Sequence, residues 1–173
     1  MVTSPATNAQ KGRNTIMSLA TAQFGRLSDT EYVMERIFDA APERVFAAYT
    51  NADAVEAWWG QRGNTTTVEA LDVRPGGAWR FVQRDPSGAA YAFYGEYLEV
   101  APQRLVNTFE FAGYPGHVVT DTVTFEPHGT ETRVTAHSTF ASKDDLDGML
   151  ASGMEGGANE SWDRLAELLA SER

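Results

Sequence analysis

Six β-like runs in succession, each closed by turn residues and followed by one helical stretch, constrain this chain more than any other feature. The runs cover residues 65–73, 77–84, 90–99, 104–111, 118–126 and 131–140. Between them stand Arg74-Pro75-Gly76-Gly77, Asp85-Pro86-Ser87-Gly88, Ala101-Pro102-Gln103, Gly113-Tyr114-Pro115-Gly116 and Pro127-His128-Gly129-Thr130. Connections this short join antiparallel neighbours, because parallel strands need a crossover of about a dozen residues or more. A meander of this size has an apolar face to cover. Ser142, followed three residues later by Asp145, starts the one long element available, a helical stretch to the C-terminus. Gly156-Gly157 is expected to weaken its middle, and Trp162, Leu165, Leu168 and Leu169 form its apolar stripe.

Upstream, residues 32–38 read as a strand and Ala41-Pro42-Glu43 as a helix start, with Val45, Phe46 and Tyr49 on the apolar side. Asn51-Ala52-Asp53 caps a second short helix that ends at Trp58-Trp59-Gly60. Phe24-Gly25-Arg26-Leu27 adds a short strand, and residues 1–23 read as a mobile arm before a single domain over 24–173. The fold expected is α+β, a curved antiparallel sheet gripping a C-terminal helix.

Composition removes several function classes. The 173 residues bury roughly 70 % of their unfolded surface at this size, so a core needs no metal or disulfide. With no cysteine, disulfide frameworks, iron–sulfur clusters and thiol nucleophiles are excluded. The net charge of −10 is uneven: +3 over residues 1–28, with all the acid in the remainder. Without a Lys/Arg cluster, nucleic acid is not an expected partner. No apolar run reaches the roughly 20 residues of a membrane helix, and no signal peptide is evident, so a cytoplasmic protein without membrane insertion is expected.

Period-2 alternation assigns the inner face. Val119, Val123 and Phe125 share a face with Val134, Ala136 and Phe140, and pairing Val123 with Val134 leaves a four-residue loop at 127–130. His137 then falls outside with Thr120, Thr122 and Thr135. Trp79, Phe81 and Gln83 face Tyr91, Phe93, Gly95 and Tyr97, which sets Gly95 opposite Trp79. An indole needs the space that a strand-interior glycine leaves. The next strand adds Leu105, Asn107, Phe109 and Phe111, and Asp121 has inner parity. An aromatic wall with a few convergent polar groups describes a pocket; the same polar groups bonding to backbone near strand ends is the other reading.

Several segments together resemble one family in order and spacing. They are Trp58-Trp59-Gly60, the run from Asp72 through Arg74-Pro75-Gly76-Gly77 to Trp79, Gly95-Glu96-Tyr97-Leu98-Glu99-Val100, Arg104-Leu105-Val106, Thr122-Val123-Thr124-Phe125, Gly153-Met154-Glu155, and the closing Leu165, Leu168 and Leu169. The resemblance is to homologues of the activator of the heat-shock-protein-90 ATPase, C-terminal-domain type, of the START-like (SRPBCC) helix-grip superfamily. It covers roughly residues 31–170. It implies a hydrophobic cavity between sheet and long helix, used across the superfamily for lipids and other apolar ligands. Gln61 departs from the family, where many members have Pro after Trp-Trp-Gly. At this length the separate chaperone-binding domain of eukaryotic co-chaperones is not expected.

The expected function is therefore to hold a small hydrophobic or amphipathic ligand, with Trp58, Trp59, Trp79, Phe81, Tyr91, Phe93, Tyr97, Asn107, Phe109, Asp121, Phe125, Met149 and Met154 as candidate ligand-binding residues. Trp58-Trp59 reads either as a cavity lid or as a packing anchor, and the two methionines either as adaptable walls or as ordinary core. Asp121 is the one candidate catalytic residue. In an apolar pocket its pKa would rise, giving a general acid or base for cyclase-, dehydratase- or hydrolase-like chemistry; paired with Asn107 it would be structural. His117, His128 and His137 show no close metal-ligand spacing, and neither a nucleophile elbow nor a dinucleotide fingerprint is present. No metal or cofactor is expected. A chaperone or regulator is the alternative partner, with the protein a monomer or homodimer.

Overall fold

The computed structural model describes residues 21–173. The arm expected over 1–23 lies outside the described residues except for 21–23, of which Gln23 already opens a strand. The elements run β1 (Gln23–Arg26), β2 (Glu31–Phe38), α1 (Pro42–Thr50), α2 (Ala52–Trp58), β3 (Thr65–Leu71), β4 (Ala78–Arg84), β5 (Ala90–Ala101), β6 (Arg104–Phe111), β7 (Val119–His128), β8 (Glu131–Thr139), α3 (Lys143–Ala151) and α4 (Met154–Ser171). The strands form one eight-stranded antiparallel sheet in the order β1-β2-β8-β7-β6-β5-β4-β3. The successive hairpins place each strand beside its predecessor from β3 to β8, and β2 closes onto β8.

Local chemistry sets the helix starts. Pro42 stands at the first position of α1, where a missing N–H costs nothing. Asn51 caps α2 by accepting from the Ala54 N–H at 3.1 Å, and Ser142 caps α3 by accepting from the Asp145 N–H at 3.1 Å. The C-terminal helical stretch breaks at a different place from the one expected. It is two helices, separated at Ser152-Gly153, and Gly156-Gly157 lie inside the unbroken α4. Gly153 has φ of +86°, which L side chains rarely adopt, so the chain turns there.

Trp79 pairs with Gly95, as the alternation required. A Cβ at position 95 would lie 1.9 Å from the Thr108 carbonyl oxygen and 2.6 Å from the Trp79 Nε1. The indole N–H donates to that same Thr108 carbonyl at 3.1 Å, so β4, β5 and β6 meet at this one point. The β7–β8 register needs correction. Val123 pairs with Ala136 and Phe125 with Val134, two residues from the expected alignment. Gly129 and Thr130 alone form the loop, with Gly129 at φ of +64°, the positive angle that two-residue hairpin turns demand. A slip of two preserves parity, so the inner and outer sets survive, and His137 sits on the outer face beside Glu31 at 3.1 Å.

One end of the space between sheet and helices is solid. Phe38, Val45, Phe125, Val134, Leu165 and Leu169 are almost wholly buried there. Arg164 ties α4 to the end of α2, donating to the Ala57 carbonyl at 2.9 Å and the Gly60 carbonyl at 3.0 Å. No helix among the described residues is long and apolar enough to cross a membrane.

Three glycine variants read these constraints by thermal unfolding. Gly95→Ala should lower stability by about 1–3 kcal/mol, because backbone on β6 must move. Gly156→Ala, helical and with open space around its Cβ, should raise it by about 0.5–1 kcal/mol. Gly153→Ala should destabilise, since the left-handed turn would be strained.

Candidate ligand cavity

Opposite the solid end, sheet and helices separate around a cavity of about 710 Å³. Its roof explains the empty space. Gly157 and Ser161 lie four residues apart on α4, beside Ala158 and with Gly153 at the N-cap, so small residues face the sheet. Gly157 therefore contributes to the cavity as the sequence suggested, whereas Gly156 faces open space. The floor is aromatic: Phe109 lies 5.9 Å from Trp79 and 5.6 Å from Phe93 between ring centroids. Trp59 meets Phe93 edge-on at 5.2 Å.

Of the expected ligand-binding residues, Trp58, Trp59, Trp79, Tyr91, Phe93, Tyr97, Asn107, Phe109, Asp121, Met149 and Met154 line the cavity. Phe81 and Phe125 do not. Phe81 is packed between Trp59 and Trp79, at 5.2 and 4.8 Å, and those indoles cover it. Phe125 plugs the closed end, edge-on to Phe46 at 5.7 Å and Tyr49 at 5.1 Å. The Trp-Trp-Gly corner divides its work. Trp58 anchors, 3 % exposed and donating to the Ala48 carbonyl at 2.8 Å, while Trp59 packs among the floor rings. Gly60, at φ of +104°, leaves its side-chain space to the Gln83 amide.

Four of the polar groups are aligned. Tyr97 pairs with Asn107, Asn107 with Asp121, and Asp121 with Ser138, so one row of four side chains crosses β5, β6, β7 and β8. Directly paired residues project from the same face, and all four line the cavity. The structural pair expected between Asn107 and Asp121 is not formed. Asn107 Nδ2 donates to the Thr108 carbonyl at 3.0 Å, and Asp121 accepts from the Ser138 hydroxyl at 2.6 Å. Ser138 was missed because the two-residue register error set Asp121 opposite Ala136; its parity with Val134 and Phe140 was there to be read. Gln61, Gln83, Tyr49 and Trp162 also line the space beyond the residues expected. Trp162 Nε1 donates to the Tyr49 hydroxyl at 2.9 Å. At the mouth, the exposed Tyr91 donates to Asp85 at 3.2 Å.

Burial drives the electrostatics. It pushes the Asp121 carboxyl up to about 6, against the opposing effects of the Ser138 hydrogen bond and the His137 charge. Burial alone pushes the Tyr97 phenol up to about 12, and burial first, then the Asp121 charge, raises that of Tyr49. At neutral pH the row thus holds an ionised carboxylate with one hydroxyl donor, flanked by neutral hydroxyls and an amide.

Residues 39–170 match the family model described as activator of Hsp90 ATPase homolog 1-like protein. Protein Ms6760 from Mycobacterium smegmatis is 28 % identical with a TM-score of 0.78, over 86 % of this chain and 94 % of that one. A protein from Arthrobacter aurescens, solved by NMR, is 26 % identical with a TM-score of 0.81, covering 88 % and 92 %. The AHSA1 protein from Silicibacter pomeroyi is 25 % identical with a TM-score of 0.70, covering 83 % and 99 %. No protein of curated function matches the chain.

Asp121 carries a signed pH dependence. Its pKa is raised from 3.8 to about 6, so the folded state holds the proton more tightly than the unfolded chain. Its contribution to stability is therefore neutral below the unfolded value and becomes a penalty as pH rises through about 6. Asp121→Asn, still able to accept from Ser138, should be more stable than the parent by about 2–3 kcal/mol at pH 7.5. In urea unfolding the difference should vanish near pH 4.

Proposed function

Because the chain belongs to the activator of Hsp90 ATPase homolog 1-like family, we propose that it works as a helix-grip binding protein, holding one small amphipathic molecule between the sheet and α4. The observation that carries this is the cavity: about 710 Å³ with an aromatic floor, a roof of small residues and a polar row across four strands. That volume lies within the roughly 300–1,000 Å³ range of small-molecule sites. Tertiary packing elsewhere in the same core is tight, with Phe38, Phe125, Leu165 and Leu169 at most 1 % exposed, so the void is local. The polar end of the ligand meets Asn107, Asp121 and Ser138, and its apolar body lies along Trp59, Trp79, Phe93 and Phe109.

A second role has one specific observation in its favour. A carboxyl titrating at about 6 is matched to proton transfer near neutrality. Under that alternative Asp121 takes a proton from, or gives one to, a bound molecule, and Asp121→Asn abolishes turnover while binding persists.

An environment-sensitive apolar fluorophore should bind the native protein saturably at one site. Ala136 lines the cavity on β8, and Ala136→Phe should fill it, weakening the fluorophore at least about tenfold, or about 1.4 kcal/mol, with the circular-dichroism spectrum unchanged. Undiminished binding to this variant would place the fluorophore elsewhere. Native mass spectrometry of the purified protein should show a co-purifying small molecule that Ala136→Phe no longer retains.

A further inference from the structure

Asp121 forms no ion pair among the described residues. One of its oxygens accepts from Ser138 at 2.6 Å, and none of the described residues donates to the other. The cavity offers no counter-charge either: among the described residues its lining contains two carboxylates, Asp121 in the floor and Asp85 at the mouth, and no lysine, arginine or histidine. His137 lies behind the sheet, held by Glu31. An ionised carboxylate enclosed by protein is costly unless a cation meets it. All four tryptophans of the chain, positions 58, 59, 79 and 162, line the same space. Aromatic rings attract cations through their π electrons, tryptophan most strongly, and more so where water is excluded. The net charge of −10 has the sign that draws a cation in and repels an anion.

Building on the ligand-binding function proposed above, we infer that the cavity selects amphipathic monocations, with an ammonium group on Asp121 and an apolar or aromatic body against the tryptophans, over amphipathic carboxylates and alcohols. The feature that decides the sign is the pairing of a carboxylate without an ion-pair partner with a lining in which none of the described residues is basic. A fatty acid placed in the same pose would set its carboxylate beside that of Asp121 with no donor cation for either. An alcohol could bond to Asp121 but would leave its charge unneutralised.

Three ligands of the same skeleton test this: phenylbutylammonium, phenylbutanol and phenylbutanoate, each titrated against the full chain by calorimetry and in competition with the apolar fluorophore. At pH 7.5 the ammonium should bind at least about tenfold tighter than the other two, and should lose about tenfold on going to pH 5 as Asp121 takes up its proton. In Asp121→Asn the ammonium should lose most of its advantage over the alcohol, keeping only what the rings and the net charge supply, and the pH dependence should disappear. Tyr49 and His137, the other titratable groups that act on this carboxyl, are unchanged in that variant, so its difference from the parent belongs to Asp121. Equal or tighter binding of the alcohol or carboxylate to the parent, or an ammonium preference undiminished in Asp121→Asn, overturns the inference. So does a fluorophore that binds but yields to none of the three, an outcome that leaves cavity binding standing. If the fluorophore itself finds no site, the binding function falls and this selectivity with it.

Discussion

The indole of Trp79 occupies the space that a side chain at position 95 would fill, and its N–H donates to the Thr108 carbonyl of the next strand but one. Because that contact joins three strands at van der Waals limits, it fixes how closely β4, β5 and β6 approach and where the aromatic floor lies. Phe81 is sealed beneath the indole, Phe109 lies beside it, and Phe93 extends the surface toward the mouth. A larger residue at 95 would push the floor into the cavity or the strands apart. The shape of the cavity floor thus depends on a glycine that is not itself part of the lining.

Above this floor, the protein leaves volume unfilled where it could have packed. The α4 positions over the sheet are Gly157, Ala158 and Ser161, with Gly153 at its N-cap, whereas toward the C-terminus Leu165 and Leu169 are fully buried in the solid core. The same helix is therefore a roof at its N-terminal end and a core element at its C-terminal end. The polar row across β5 to β8 lies under the open half. There Asp121 ionises at a cost to stability, because burial disfavours its charged form. Groups held at the expense of stability in a cavity wall are where binding or proton transfer is expected.

The elements and their faces were legible in the sequence because alternation and turn residues are local. The strand between Tyr32 and Phe38, the caps at Asn51 and Ser142, the Trp79–Gly95 contact and the outward His137 all follow from neighbours in the chain or from parity. Most of the cavity lining was legible for the same reason, since inner parity selects the residues that can face the helix. Parity does not say how far along the strand a partner lies. A shift of two residues keeps every side chain on its face, so the β7–β8 register was misjudged without any inward residue becoming outward, and Ser138 was lost from the polar row.

By itself the sequence determined the order of strands and helices, the inner set of side chains and the presence of a carboxylate among them. Tertiary structure alone decided which inner residues are covered by others. Phe81 and Phe125 have the same parity as Trp79 and Asp121, yet the first is sealed by two tryptophans and the second by Phe46 and Tyr49 from α1. It also decided that the helical stretch breaks at Gly153, and that Asp121 bonds to Ser138 and not to Asn107. The physical reason is that covering and partnering depend on three-dimensional distances between elements far apart in the chain, which periodicity along one strand does not encode.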